Sequence, residues 1–361
     1  MIEPGTNTAL EVIFASAITL SLIFILLPTT YRLQLVDKPD HRKVHEGTIP
    51  LLGGIAIYLG VLISFSLFHS FTTSFASFFA ASGILVAVGA VDDRFGLKVR
   101  YRILIEVFAA CIMIFGAGLW VGNLGNLLGF GSFHLPFWLG VPFTLVAVFG
   151  ILNALNMMDG IDGVAGGITL LIITLLYWTT NTSKDLEVLG PLLGGAITSY
   201  LACNLGLLPR LPKIFLGDAG SKLLGLSIVW FLIDVAKSGS ASTGGIEPAT
   251  ALFAVGLPLF DMVSVTIRRA KKGLSPFSPD KTHIHHLFLR AGFSKRQTIT
   301  AILSMALFIN LTGLALNLVQ APELFQFSLF FGLYLLYTYN IHRGFKLLIK
   351  IRKSLLPDAQ V

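Results

Sequence analysis

Eleven apolar runs, most of them near twenty residues long, divide this sequence and leave it little else to become. They fall at roughly 9–28, 51–69, 72–91, 103–121, 137–156, 164–180, 187–207, 223–236, 249–267, 298–319 and 324–341. A bilayer core about 30 Å thick needs ~20 apolar residues per helix, because lipid offers nothing to satisfy a bare backbone amide. Composition agrees: 54% of the residues are hydrophobic and 12% charged, at a mean hydropathy of +0.80, whereas a soluble domain is about 25% charged. The chain therefore reads as an all-α polytopic integral membrane protein of about 11 transmembrane helices, one membrane-embedded domain over 1–361. The runs at 223–236 and 249–267 carry the weakest signal. No positive segment precedes the first run, so it reads as a retained span rather than a cleaved signal. Cys111 and Cys203 lie inside apolar runs without paired spacing and read as small buried hydrophobes.

Counting loops alternately sorts the charges. If 29–50 faces the cytoplasm, so do 92–102, 157–163, 208–222, 268–297 and the tail 342–361. These segments hold 24 of the 26 Lys and Arg residues, leaving only Lys184 and Lys237 on the other side. Cytoplasmic loops gather cations during insertion, so the partition predicts an N-out, C-in chain with an odd number of spans. The formal charge of +7 is then a topological bias, and nucleic acid is not an expected partner. Asp37, His45, Asp92, Asp93, Asp159, Asp162, Asp218 and Asp280 fall on the same side. An active site on the cytoplasmic face is expected; a transporter would place its key ionisable residues near mid-bilayer.

The longest polar stretch, RRAKKGLSPFSPDKTHIHHLFLRAGFSKRQ (268–297), holds eight Lys/Arg with His283, His285 and His286. Cations and imidazoles beside a membrane suit an anionic, phosphorylated ligand. His283 and His286 stand i, i+3 and can converge on a helix. Zinc is the rival ligand, but no Cys or HExxH accompanies them, and a wet histidine patch is the blander option. Asp92 and Asp93 end a run in GAVDDRFGLKVRYR. Adjacent carboxylates stay ionised together when a divalent cation or Lys/Arg is near, although a solvated helix end paired to Arg94 and Lys98 would also satisfy them. In NALNMMDGIDGVAGG (153–167), Asn153, Asn156, Asp159 and Asp162 recur every three residues, sharing a helix face, with glycines behind them suited to phosphate. A simple cap explains one of these acids, not all four groups. KIFLGDAGSK (213–222) sets Asp218 at a helix start, either as a hard-cation ligand or as a cap together with Ser221. Asp-rich Mg²⁺ or Mn²⁺ coordination, Gly-rich phosphate seats and cationic clamps beside a bilayer are the equipment of phosphoryl transfer to or from a lipid. A transporter or lipid-binding protein without chemistry is the competing class.

At these motifs the sequence resembles the polyprenyl-phosphate N-acetylhexosamine-1-phosphate transferase superfamily. The stretches that carry the resemblance are VDKPDHRKVHEGTIPLLGG (36–54), VDDRFGL (91–97), NALNMMDGIDG (153–163), FLGDAGS (215–221) and KKGLSPFSPDKTHIHH (271–286), in order over most of the chain. Within the superfamily it is most similar to the bacterial branch that moves GlcNAc-1-phosphate from UDP-GlcNAc to undecaprenyl phosphate. The branch that uses UDP-MurNAc-pentapeptide has three consecutive histidines where this chain has HIHH. That departure favours a small aminosugar and leaves GalNAc or another N-acetylhexosamine open. The resemblance implies Mg²⁺, with Mn²⁺ as the alternative, on Asp218. It makes Asp92 and Asp93 the paired aspartates, one a proposed base for the lipid phosphate, with metal positioning as the rival role. It also implies Arg102 near the phosphates, Asn156 and Asp162 near metal and nucleotide, with Asn153 and Asp159 in the same motif, and His283, His285 and His286 on the diphosphate. Lys43 and His45 are expected to bind nucleotide or lipid phosphate, and Asn204 to meet uracil. Asp261 is expected to be structural or to support Arg268. Such a protein would work at the bacterial inner membrane in a cell-surface polysaccharide pathway, and since dimers occur in the superfamily a homodimer is an open option.

Overall fold

The computed structural model describes residues 8–38, 47–181, 183–207, 210, 212–237, 244–275 and 282–355, with side chains described to residue 341. The chain opens with α1 (Thr8–Arg32) and a short antiparallel pair, β1 (Val36–Asp37) and β2 (Ile49–Pro50). Next come α2 (Gly53–Phe68), α3 (Thr73–Phe95) and α4 (Val99–Cys111), the last running on into a π-helical turn at Ile112–Gly116. α5 (Phe137–Met158), α6 (Val164–Thr179), α7 (Lys184–Asn204) and α8 (Gly217–Lys237) follow. The chain closes with α9 (Pro248–Ala254), α10 (Gly256–Lys271), the short α11 (Ile284–Arg290), α12 (Lys295–Leu318) and α13 (Glu323–Leu355).

Each apolar run corresponds to helix, and the chain is a nearly all-α, multi-pass membrane protein. Seven helices, α1, α3, α5, α7, α8, α12 and α13, are long and apolar enough to cross a bilayer, and α9 with α10 makes an eighth if the break between them lies within one span. The expected count of about 11 is therefore not reached on length alone. α2 and α6 have 16 residues each, about 24 Å at 1.5 Å per residue, and α4 approaches spanning length only with its π turn. The run at 249–267 is not one helix: it bends by 75° at Val255. Pro258 explains the break, because it has no amide to continue the ladder to the Ala254 carbonyl. That carbonyl is instead taken by the Asn310 side-chain amide at 3.3 Å.

α8 lies at the centre, packed by α2, α3, α5 and α6, with Trp230 and Phe231 fully buried. Lipid is as apolar as leucine, so helices in a membrane associate through close packing rather than hydrophobic exclusion. Small residues supply it here. A Cβ on Gly54 would fall 2.2 Å from Gly220 N, and one on Gly89 2.4 Å from Ala219 Cα. The outward faces carry exposed Phe14, Phe24, Val146, Trp178 and Phe308, side chains that a bilayer accepts and water does not. Cys203 is buried, Cys111 half-buried, and neither forms a disulfide.

Candidate active site

The last turns of α3 and α5, the first turn of α4 and the start of α8 meet at one face of the bundle, and the backbone builds the meeting. Ahead of α8 the chain runs along β2: Phe215 N donates to the Pro50 carbonyl at 2.8 Å, and Gly53 N to the Phe215 carbonyl at 2.9 Å. Two sequence motifs far apart in the chain are thereby fastened together. Gly217 then turns into α8 with φ at +72°, a conformation strained for any residue with a Cβ. It also leaves room, since a Cβ there would sit 2.5 Å from Asp93 Oδ2. Through this opening Asp93 accepts from the amides of Asp218 at 2.9 Å and Ala219 at 3.4 Å. Asp93 thus caps α8, its carboxyl oxygens at the positive end of the helix dipole.

Its neighbour is placed differently. Asp92 Oδ1 accepts from Leu97 N at 2.6 Å, whereas Oδ2 is buried with no hydrogen-bond partner. Two cations face that oxygen, Arg102 Nη1 at 3.5 Å and Lys222 Nζ at 3.8 Å. The Asp218 carboxyl also lies near enough to Asp92 to interact with it. Asp218 Oδ1 accepts from Asn156 at 2.8 Å, and the same amide donates to Ser221 Oγ at 2.9 Å. Asp218 Oδ2 stands 3.9 Å from Arg102. Asp92, Asp218, Asn156 and Arg102 are thus one constellation. Asp159 closes α5 beside it. Desolvation, followed by the carboxylates of Asp218, Asp93 and Asp162, pushes its carboxyl well above the ordinary range. Burial is the larger cause, and the three neighbouring carboxylates add to it a negative potential, which a divalent cation relieves. Asp162 pairs with Lys213 at 2.8 Å, joining the α5–α6 loop to the approach of α8.

The histidines reach the same face through α11. His283 donates from Nδ1 to Asp261 Oδ2 at 2.7 Å, while Asp261 Oδ1 accepts from Ile284 N at 3.0 Å and the Tyr337 hydroxyl at 2.8 Å. Asp261 therefore supports His283. Of the two roles expected for Asp261 this is the structural one, and Arg268 donates to the Thr282 carbonyl at 3.4 Å. Arg269 Nη2 lies 3.4 Å from the other nitrogen of His283, so His283 anchors the loop from both sides. The His285 ring stands parallel to it, 5.9 Å away, and lies against Gly160, where a Cβ would fall 2.3 Å from Nε2. This contact sets the histidine loop on the loop of Asp159 and Asp162. Burial first, then His286 and His283, lowers the His285 pKa to about 3, leaving a neutral imidazole whose Nδ1 is buried without a partner. His286 is half-buried, its ring 4.2 Å from that of His285.

Other expected residues lie further back. Asn153 donates to Glu106 Oε2 at 3.0 Å and the Phe149 carbonyl at 2.8 Å. Asn204 is only 2% exposed and donates to the Ile214 carbonyl at 2.9 Å, under the approach to α8. Lys43, His45 and Asp280 lie outside the described residues. Two buried ions were not singled out from the sequence: Glu106 in α4 and Lys222 in α8, 3.8 Å apart. The available signal was an ionisable residue within an apolar run, functional by default. Lys222 escapes it because a span begun at residue 223 leaves it among the loop cations.

Comparison with known proteins bears on this geometry. The model of glycosyl transferase family 4 matches residues 75–236, the part containing Asp92, Arg102, Asn156 and Asp218. Over 342 residues the chain is 39% identical to the undecaprenyl-phosphate alpha-N-acetylglucosaminyl 1-phosphate transferase of Yersinia pestis, covering 93% of this chain and 92% of the relative. The chain belongs to glycosyl transferase family 4. Proteins of the same description from Escherichia coli (strain K12) and Haemophilus influenzae are 39% and 34% identical, over 90% and 92% of this chain and 88% and 93% of their own lengths. Family 4 membership makes the chain an enzyme and sets the transporter reading aside.

Among the described residues no three His, Cys, Asp or Glu side chains form a ready-made metal cage. A family 4 enzyme handling diphosphates does not need one. Magnesium takes one or two carboxylates and completes its octahedron with waters and substrate phosphates. Asp218 and Asp92, with an Asp92 oxygen that accepts no hydrogen bond, fit that habit.

Proposed function

We propose that this chain transfers GlcNAc-1-phosphate from UDP-GlcNAc to undecaprenyl phosphate, forming undecaprenyl-diphospho-GlcNAc and UMP. Supporting this is the pairing of Asp92 and Asp218 with Arg102 at one polar face, in a chain whose relatives bear that description over 90% or more of its length. A lipid-phosphate oxygen attacks the β-phosphorus of the sugar nucleotide. The bond from that phosphorus to the bridging oxygen breaks, and the oxygen leaves with UMP.

A phosphate monoester has its second pKa near ~6 and is largely dianionic at neutral pH. Positioning and charge neutralisation therefore matter more than a general base. Asp93 is not free to serve as that base, since both its oxygens face the α8 amides. Asp218 and Asp92 would hold Mg²⁺ or Mn²⁺, which when bound neutralises charge on the diphosphate and on the departing UMP. Arg102, half-exposed and facing both acids, draws the phosphates onto them. His285 and its neighbour His286 offer hydrogen bonds to the diphosphate. The sorting of Lys and Arg supports an N-out, C-in chain in the bacterial inner membrane with this face in the cytoplasm.

The test is UMP release by the purified protein in detergent with undecaprenyl phosphate and Mg²⁺. UDP-GlcNAc, UDP-GalNAc and UDP-MurNAc-pentapeptide serve as alternative donors. Release with UDP-GlcNAc alone, abolished by chelation, is expected. Release only with another donor moves the substrate, and none with any donor removes the reading.

A further inference from the structure

Lys222 stands one helical turn beyond Asp218 on α8, on the same side of the helix. Its side chain is 6% exposed, against 34% for Arg102. A buried ammonium is costly unless paired, and Lys222 has two acids, Asp92 Oδ2 and Glu106 Oε1, each at 3.8 Å. Glu106 is held from behind by Asn153 at 3.0 Å, itself tied to the Phe149 carbonyl. The chain Asn153–Glu106–Lys222–Asp92 thus runs from α5 through α4 and α8 to α3, ending on the one oxygen of Asp92 that has no hydrogen bond.

The two cations at that oxygen differ in what they can do. Arg102 is long, half-exposed and shared with Asp218, so it is able to turn toward arriving phosphates. Lys222 is enclosed. Were Arg102 the only cationic side chain there, its departure would leave the buried Asp92 with no protein counter-charge.

We propose that Lys222 is the resident counter-charge and positioning residue of Asp92, which frees Arg102 to engage the substrate phosphates. The inference rests on the transfer reaction proposed above. Glu106 and Asn153 become the support that keeps Lys222 in place. A rival exists in which Lys222 only neutralises Glu106, and replacing both separates the two. The pair Glu106→Gln and Lys222→Met removes one charge of each sign, so the buried net charge is unchanged.

The experiment measures kcat, the KM for UDP-GlcNAc and the thermal midpoint of the full chain in detergent, with undecaprenyl phosphate and Mg²⁺. The double variant is expected to melt near the wild type and lose about tenfold or more in kcat, the scale of one charge-assisted contact, with KM moved by less than about twofold. Arg102→Met is expected to do the reverse and raise KM. A double variant with wild-type kcat, or a loss confined to KM, overturns the proposal. If the double variant does not fold, the single variants decide: Lys222→Gln should lose clearly more kcat than Glu106→Gln, and equal losses overturn the idea. A wild type that turns over no donor removes the reaction and this proposal together, whereas wild-type turnover equalled by the double variant removes this proposal alone.

Discussion

Adjacent Asp92 and Asp93 have been given separate work by a difference of one helical position. Asp93 caps a helix, and Asp92 keeps an oxygen in reserve. Removing a cap costs about 1 kcal/mol, so Asp93→Ala should lower the thermal midpoint and activity together. Asp218→Ala should abolish UMP release at a nearly unchanged midpoint. Undiminished turnover in Asp218→Ala beside a dead but stable Asp93→Ala would reverse the assignment. His285 yields a prediction with a definite sign. Its pKa, near 3 in the fold against an ordinary 6.5, favours folding with the neutral ring. That contribution is complete above pH 6.5 and is lost as pH falls from 6.5 toward 3. Midpoints of wild type and His285→Gln, compared along that range, should converge or cross as the medium becomes acid; a constant gap would show that the ring does not titrate against folding. The motif acids were legible in the sequence because polar residues at the end of an apolar run demand a reason. That adjacent acids on a helix face different ways was legible too; which job Asp92 and Asp93 each take was not, because it depends on the α8 amides, more than a hundred residues away in the chain.

Among the elements, α8 shows both the reach and the limit of sequence pattern. The apolar run beginning at 223 signals a short and doubtful span, because Asp218 and Lys222 interrupt the hydropathy. The helix in fact begins at Gly217 and is the central one. A charge reads as a boundary when its partners, here Asp92 and Glu106 on other helices, are invisible in one dimension. The α9–α10 break was hidden for a related reason: Pro258 was in view, but the Asn310 amide that makes the bend tolerable comes fifty residues later. Close crossing of α3 and α8 gives a test at this scale. Gly89→Ala would place a methyl 2.4 Å from Ala219 Cα, and forced overpacking costs about 1–3 kcal/mol. It should lower the midpoint and, one turn from Asp92, depress turnover as well. Gly332→Ala meets nothing within 4 Å and should do neither. Equal behaviour of the two variants would argue against the tight crossing.

For the whole molecule, the all-α membrane architecture was legible in the spacing of apolar runs, because a backbone in lipid has few ways to satisfy itself. The number of crossings was less so, since α2 and α6 are short and α9–α10 is bent. Orientation is open to a direct check. In a chain freed of Cys111 and Cys203, Ser132→Cys should react with a membrane-impermeant thiol reagent on intact cells, and Lys98→Cys only after lysis. The opposite pattern would invert the protein in the membrane.

The central place of α8 also sets an order in time. Synthesis runs from the N-terminus, so α2, α3, α5 and α6 enter the bilayer before the helix they surround has been made. Until residue 237 has been translated, Asp93 has no α8 amides to cap and the small faces of Gly54 and Gly89 have no α8 to meet. The enzyme cannot be half-active during its own birth. A ribosome stalled after α7 should therefore present quality-control proteases with a loose, hydrated intermediate, and the arrival of α8 should be the moment at which the chain escapes them.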